Sequence, residues 1–190
     1  MTTGSGKADR MSDHRALVVI DMQRGFLEEG YPLFCGEEAR CIIPPVLRLV
    51  EQELLKGTPL FFTADAHAPD DKEFEIFPPH CVRGSVEAQV IPELAPYLDR
   101  ATLIETTRFS AFFDTDLHHR LQRNNVEKLI VCGVCTDICV MHTVADACYR
   151  DYAVEVREDC VSSFNAEAHA FGLRHMEKVL GVRITQEKIK

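Results

Sequence analysis

Three largely apolar runs in this chain lead to residues able to carry chemistry. Ala16-Leu17-Val18-Val19-Ile20 halts at Asp21, and Leu60-Phe61-Phe62-Thr63-Ala64 halts at Asp65. Leu129-Ile130-Val131 leads through Cys132 and Gly133 to Thr136, Asp137 and Cys139. Runs without polar alternation suit strands buried on both faces, as in parallel sheets. Leu103 to Thr106, Val154 to Val156 and Val182 to Ile184 read as three further strands.

Between the strands the period changes to that of helices. Pro44-Pro45 opens a helix that Gly57 closes. Ile91 to Leu98 reads as a short helix, and Thr115 to Arg123 as another capped by Asp114 or Thr115. Thr136 is expected to cap a helix running to about Tyr149, and Asn165 to Leu180 forms the last, closed by Gly181. Strands alternating with helices predict an α/β fold: a parallel sheet with helices on both faces. In such folds the site lies beyond the carboxyl ends of the strands. Asp21, Asp65, Thr106 and Cys139 all fall there.

Charge and composition narrow the functions open to such a fold. With 21 basic against 30 acidic residues the net charge is −9, and no basic patch appears, which argues against nucleic acid or an anionic membrane as partner. No apolar run approaches a membrane span and no signal h-region is present, so a cytoplasmic location is expected. Residues 1 to 14 are small and polar and read as a flexible tail, with Met11 an alternative start; residues 15–190 read as one domain. Eight cysteines in a chain rich in regular structure suggest reduced thiols rather than a disulfide scaffold. Cys132, Cys135 and Cys139 lack a fourth ligand for a cluster.

Two constellations remain. Asp65 and His67 are two apart in extended chain and point the same way, and His80 follows the rigid Phe77-Pro78-Pro79 segment. Two histidines, a carboxylate and open positions suit zinc, iron or manganese, with Glu73 as a further oxygen donor. Cys139 in a first helical turn is placed for a lowered thiol pKa and for nucleophilic attack; a buried packing cysteine is the alternative. Asp21 serves as its base if burial raises its pKa; otherwise it caps a helix or pairs with Arg24. Backbone N–H groups between Gly133 and Cys139 offer an oxyanion site.

Together Val-Val-Ile-Asp21-Met-Gln-x-x-Phe26, Thr-x-Asp65-x-His67, Phe-Pro-Pro-His80, Arg-Phe-Ser-Ala-Phe-x-x-Thr-Asp-Leu117 and Gly-Val-x-Thr-Asp-x-Cys139-Val140 resemble the isochorismatase-like cysteine hydrolases, and among them the nicotinamidases. The match runs in order from about Ala16 to Ile184. The resemblance implies a three-layer αβα sandwich around a six-stranded parallel sheet. It implies Cys139 as nucleophile, Asp21 as general base, and a cis Val134–Cys135 bond that aims the Cys135 and Cys139 amides at the oxyanion. It further implies a divalent metal, zinc foremost, on Asp65, His67, His80 and Glu73, and an aromatic pocket from Phe26, Phe77 and Phe109. The substrate would be nicotinamide or a similar small amide, the setting NAD salvage, and the assembly a homo-oligomer.

One position departs from the pattern. The family lysine falls on Thr106, and no lysine occurs between Lys72 and Lys128. A charge pair at about 4 Å is worth roughly 4 kcal/mol at an effective dielectric near 20. Losing half of that costs a factor of about tens in rate. Arg108 is the candidate substitute, about 7 Å further along an extended strand. A cysteine hydrolase of another small amide, and a weakened member that binds metal and a pyridine-like ligand, therefore stand as alternatives. Elsewhere, His118 and His119 are expected to face solvent and His142 to pack in the core. His169 and His175 carry no assigned role. Cys132, Cys148 and Cys160 are expected in the core, and Cys81 as an extra thiol near the metal.

Overall fold

The computed structural model describes residues 14–186. The expected tail therefore lies outside the described residues, apart from His14. Six strands form one all-parallel sheet: β1 (Arg15–Ile20), β2 (Leu60–Asp65), β3 (Thr102–Thr106), β4 (Lys128–Val134), β5 (Ala153–Ser162) and β6 (Arg183–Thr185). Their order is β3-β2-β1-β4-β5-β6. The chain moves outward one way through β2 and β3, then returns to the other side of β1 through β4. The crevice of a doubly wound sheet opens at that reversal, between the ends of β1 and β4.

Helices α1 (Arg24–Leu27), α2 (Glu37–Arg40) and α3 (Ile43–Leu55) cover one face. Their Leu27, Ala39, Val46 and Leu49 pack with Leu17, Val19 and Phe62 of the strands. Helices α4 (Leu117–Arg123), α5 (Met141–Cys148) and α6 (Ala166–Leu180) cover the other. There Leu121, Val144 and Met176 pack on Val18, Phe61 and Val131. Alternate residues of one strand thus feed opposite cores, which is why the strands read as continuous apolar runs. The expected three-layer αβα sandwich is observed. No helix among the described residues is long and apolar enough to cross a membrane.

Most boundaries follow the sequence signals. Prolines occupy the first positions of α3, and Gly181 ends α6 in a left-handed conformation at φ 70°. Four differ. The Ile91–Leu98 helix is replaced by a 3₁₀ turn at Ala95–Arg100, because Pro96 lacks the N–H that an α-helix needs. The α4 helix starts at Leu117, with Thr115 Oγ1 accepting from its amide and donating to Ala111. Strand β5 runs on through Arg157-Glu158-Asp159, polar because β6 pairs only with Glu155 to Arg157 and leaves that edge half open. The predicted helix at Thr136 begins as a π-turn, Thr136–Val140, before α5.

One close approach fixes the centre of the sheet. Gly133 has φ +115°, and a Cβ there would lie 2.0 Å from the Ile20 carbonyl oxygen. Only glycine fits both the angle and the space. Gly133→Ala is expected to destabilise the fold by more than about 4 kcal/mol. Soluble yield and the midpoint of denaturant unfolding test this; a midpoint near that of the unaltered protein would refute it.

Candidate active site

Asp21 follows β1 directly, with φ 47° and 3% of its surface exposed. Thr63 on the neighbouring strand holds it twice: the Asp21 N–H donates to Thr63 Oγ1 at 3.0 Å, and that hydroxyl donates to the carboxylate. The Cys139 thiol lies close enough to the same carboxylate for each group to shift the other's pKa. Arg24 turns away to Glu28 at 2.8 Å, so neither structural alternative for Asp21 is met. Burial, and then the nearby Asp65 charge, push the Asp21 pKa up to about 7.

Cys139 corrects one expectation. Its thiol pKa lies well above the ordinary cysteine value, because burial and then the charges of Asp21 and Asp65 oppose a thiolate. Burial and these charges prevail at a helix end that is only a π-turn here. Thr136 does not cap it either. Cys135 occupies the cap position, and Thr136 Oγ1 lies 2.9 Å from His169 Nδ1 on α6. Ser163 donates to Asp137. Gly172 of α6 lets the turn sit close, since a Cβ there would lie 3.1 Å from Asp137 Cα and the Thr136 oxygen. The Val134–Cys135 peptide bond is cis.

Beside this pair Asp65, His67, Glu73 and His80 come together, one donor atom from each within 4.8 Å of the rest. All four are buried. Both histidines turn Nε2 inward: that of His67 is 3.0 Å, and that of His80 3.3 Å, from Asp65 Oδ2. Glu73 Oε1 is 4.0 and 3.9 Å from the same two nitrogens. Neither nitrogen of the fully buried His67 is aligned for a hydrogen bond despite these short contacts. A buried nitrogen close to oxygens yet not aimed at them fits a cation ligand. The donor set, two imidazoles and two carboxylates, suits a divalent metal such as zinc, iron or manganese. Burial works to lower the His67 pKa, and the carboxylates of Asp65 and Asp71 overcome it and raise it to about 9.

Phe26, Phe77 and Phe109 line one cleft with Asp65, Glu73, His80, Cys135 and Cys139. The Phe77 and Phe109 rings meet edge to face at 6.2 Å. Leu33, Ile138 and Phe164 complete this apolar lining and were not legible in the sequence. Thr106 is buried and paired in register with Asp65, so it shares that residue's sheet face. Arg108 does not replace the missing lysine. The strand ends at Thr106, and Arg108 Nη1 is held by Asp71 at 2.9 and 3.1 Å. Among the described residues no lysine or arginine lines the cleft.

Several other placements differ from expectation. Cys81 is fully buried, its thiol 3.9 Å from the Glu87 carbonyl, and is not in the metal cluster. His142 is exposed rather than packed in the core, and His118 is half-buried against Tyr152. Cys148 is only half-buried. Among the described residues no disulfide forms. Sequence reasoning also missed Thr63, Asp71 and Gln23. Gln23 accepts from the Asp65 amide at 2.7 Å and donates to the Asp65 carbonyl at 2.9 Å, tying the ends of β1 and β2 together. Its place two residues after Asp21 was the available signal.

An isochorismatase-domain family model matches residues 15–188. The chain belongs to the isochorismatase family. The crystal structure of the nicotinamidase PncA from Bacillus subtilis superposes with a TM-score of 0.86 at 32% identity, covering 90% of this chain and 99% of that one. A pyrazinamidase of Pyrococcus horikoshii, solved in complex with zinc, gives 0.84 at 30% identity over 92% and 99%. A probable inactive nicotinamidase of Arabidopsis thaliana is 33% identical over 174 residues, 86% of this chain and 88% of that protein.

The Asp21 pKa has a consequence for stability. A carboxyl at about 7 in the fold and near 3.8 when unfolded binds more protons folded, so its ionisation weakens the fold as pH rises through that window. Asp21→Asn in chelator-treated protein is therefore expected to raise the melting temperature relative to the unaltered protein more at pH 8 than at pH 5. Equal differences at both pH values would contradict the raised pKa.

Proposed function

We propose that this isochorismatase-family hydrolase is a nicotinamidase-type cysteine amidohydrolase. The reading rests on one observation: Cys139, its thiol close to the buried Asp21 carboxylate, lines a cleft that joins aromatic walls to a four-donor cation site. The substrate is a flat aromatic carboxamide, with nicotinamide the reference case and NAD salvage the corresponding setting.

In this mechanism the Asp21 carboxylate takes the thiol proton as Cys139 sulfur attacks the amide carbon. A base near pH 7 suits that step, and proton transfer during attack removes the need for a resting thiolate. The Cys135 and Cys139 amides hold the developing oxyanion. Asp21 then returns the proton to nitrogen, ammonia leaves, and a thioester remains. Water, deprotonated by Asp21, releases the acid and restores the thiol. Asp65, His67, Glu73 and His80 would hold a divalent metal, zinc foremost, which would supply Lewis-acid chemistry to anchor the substrate. Phe26, Phe77 and Phe109 flank the ring and exclude water.

Thr106 supports a second reading. Among the described residues no lysine or arginine lines the cleft, so the Asp21–Cys139 pair lacks the neighbouring charge that the family pattern supplies. The chain would then be a weakened member that binds the metal and a pyridine-like ligand.

Ammonia release from nicotinamide by zinc-loaded protein separates the two. Turnover is expected, falling at least about 10³-fold in Cys139→Ala. Thr106→Lys is expected to raise kcat/KM about tenfold, by stabilising the ionised pair. Ligand binding with no ammonia release would overturn the first reading; ammonia release unaffected by Cys139→Ala would remove the cysteine from it.

A further inference from the structure

Asp71 lies just outside the four-donor cluster and touches half of it. Its Oδ1 accepts the Glu73 amide at 2.9 Å, capping the 3₁₀ turn Lys72–Glu75 that carries Glu73. Its Oδ2 is 3.1 Å from His67 Nδ1, the nitrogen facing away from the other donors. This second contact is a bent ion contact rather than an in-line hydrogen bond. Its electrostatic preference is still plain: a carboxylate there favours the proton on Nδ1 and leaves Nε2 as the donor. His80 is arranged alike, with Nδ1 2.9 Å from the Pro78 carbonyl and Nε2 inward. Each histidine thus has an oxygen behind it, the arrangement by which ligands around a cation are oriented.

Asp71 is itself held. Arg108 reaches both of its oxygens, at 2.9 and 3.1 Å, from the segment after β3, and also donates to the Thr107 carbonyl. The loop bearing His67 and Glu73 is thereby tied to the end of β3. This accounts for an arginine that neither lines the cleft nor stands in for the lysine.

We propose that Asp71, clamped by Arg108, is the positioning residue of the metal centre, orienting His67 and Glu73 toward a divalent cation shared with Asp65 and His80. The proposal rests on the metal reading given above but does not depend on the amide reaction. Asp71 acts through the ligands and does not touch substrate.

The test is zinc affinity of the full chain, read by competition with a chromophoric chelator after stripping. Asp71→Asn is expected to weaken zinc binding about 10- to 100-fold. Arg108→Gln is expected to weaken it about 3- to 10-fold, and Arg108→Lys to keep most of it, because one nitrogen makes both contacts. Because the two residues act as one unit, the double variant Asp71→Asn/Arg108→Gln should bind no more weakly than Asp71→Asn alone. Thermal unfolding in chelator checks that each variant folds. Should Asp71→Asn fail that check, the half-exposed Arg108 still carries the test. Affinities within about twofold of the unaltered protein, or losses that simply add, would overturn the clamp while leaving the metal reading intact. An unaltered protein that binds no zinc would overturn both.

Discussion

The Ile20 carbonyl occupies the space where residue 133 would otherwise place a side chain. That contact lets β1 and β4 lie side by side up to their last residues, and everything chemical in the molecule depends on it. Asp21 leaves one strand and Cys135 the other, and the turn from Thr136 then brings the Cys139 thiol back onto the Asp21 carboxylate. Thr63 and Gln23, working from the neighbouring edge, hold the end of β2 to the same crevice. Asp65 therefore stands beside the thiol by construction of the sheet, and the loop after β2 folds back to bring His67, Glu73 and His80 to it.

Charge shapes what this crevice can do. Four carboxylates, Asp21, Asp65, Asp71 and Glu73, crowd two imidazoles and one guanidinium, and the guanidinium is spoken for by Asp71. Asp65 and Glu73 face inward at His67 and His80, and among the described residues Asp21 makes no ion pair, the His67 charge being a minor influence behind burial and Asp65. The result is a carboxyl held near neutrality beside a thiol that stays protonated. A pair in that state can pass one proton between oxygen and sulfur with little change in net charge. Buried sites favour such a step, because separating charge there is costly.

Much of this was legible before any coordinates. Parallel strands feed two cores, so Ala16 to Ile20 and Leu60 to Ala64 stood out as continuous apolar runs, and the residues ending them were flagged by position alone. The Asp65, His67 and His80 grouping was visible through strand periodicity and a rigid Pro-Pro segment. The rest depended on distances that sequence does not encode. Whether Cys139 ionises is decided by burial and by carboxylates arriving from residues 21 and 65. Arg108 was expected along an extended strand, but the strand stops and a carboxylate 37 residues earlier captures it. Thr136 is a cap only where an α-helix follows it, and the sequence does not distinguish that helix from the π-turn that forms.

The turn bearing Cys139 is braced from outside the cleft. His169 and Gly172 sit on α6, and Ser163 sits just before it, yet among the described residues none of the three lines the cleft. In the proposed mechanism chemistry and alignment are thus divided along the chain: Asp21 and Cys139 precede residue 140, and the residues that brace the turn of Cys139 follow residue 160. The inward stripe of α6 thus forms the floor on which the turn of Cys139 rests. In the proposed reaction, the aim of the sulfur is set from α6, on the far side of the turn from the substrate.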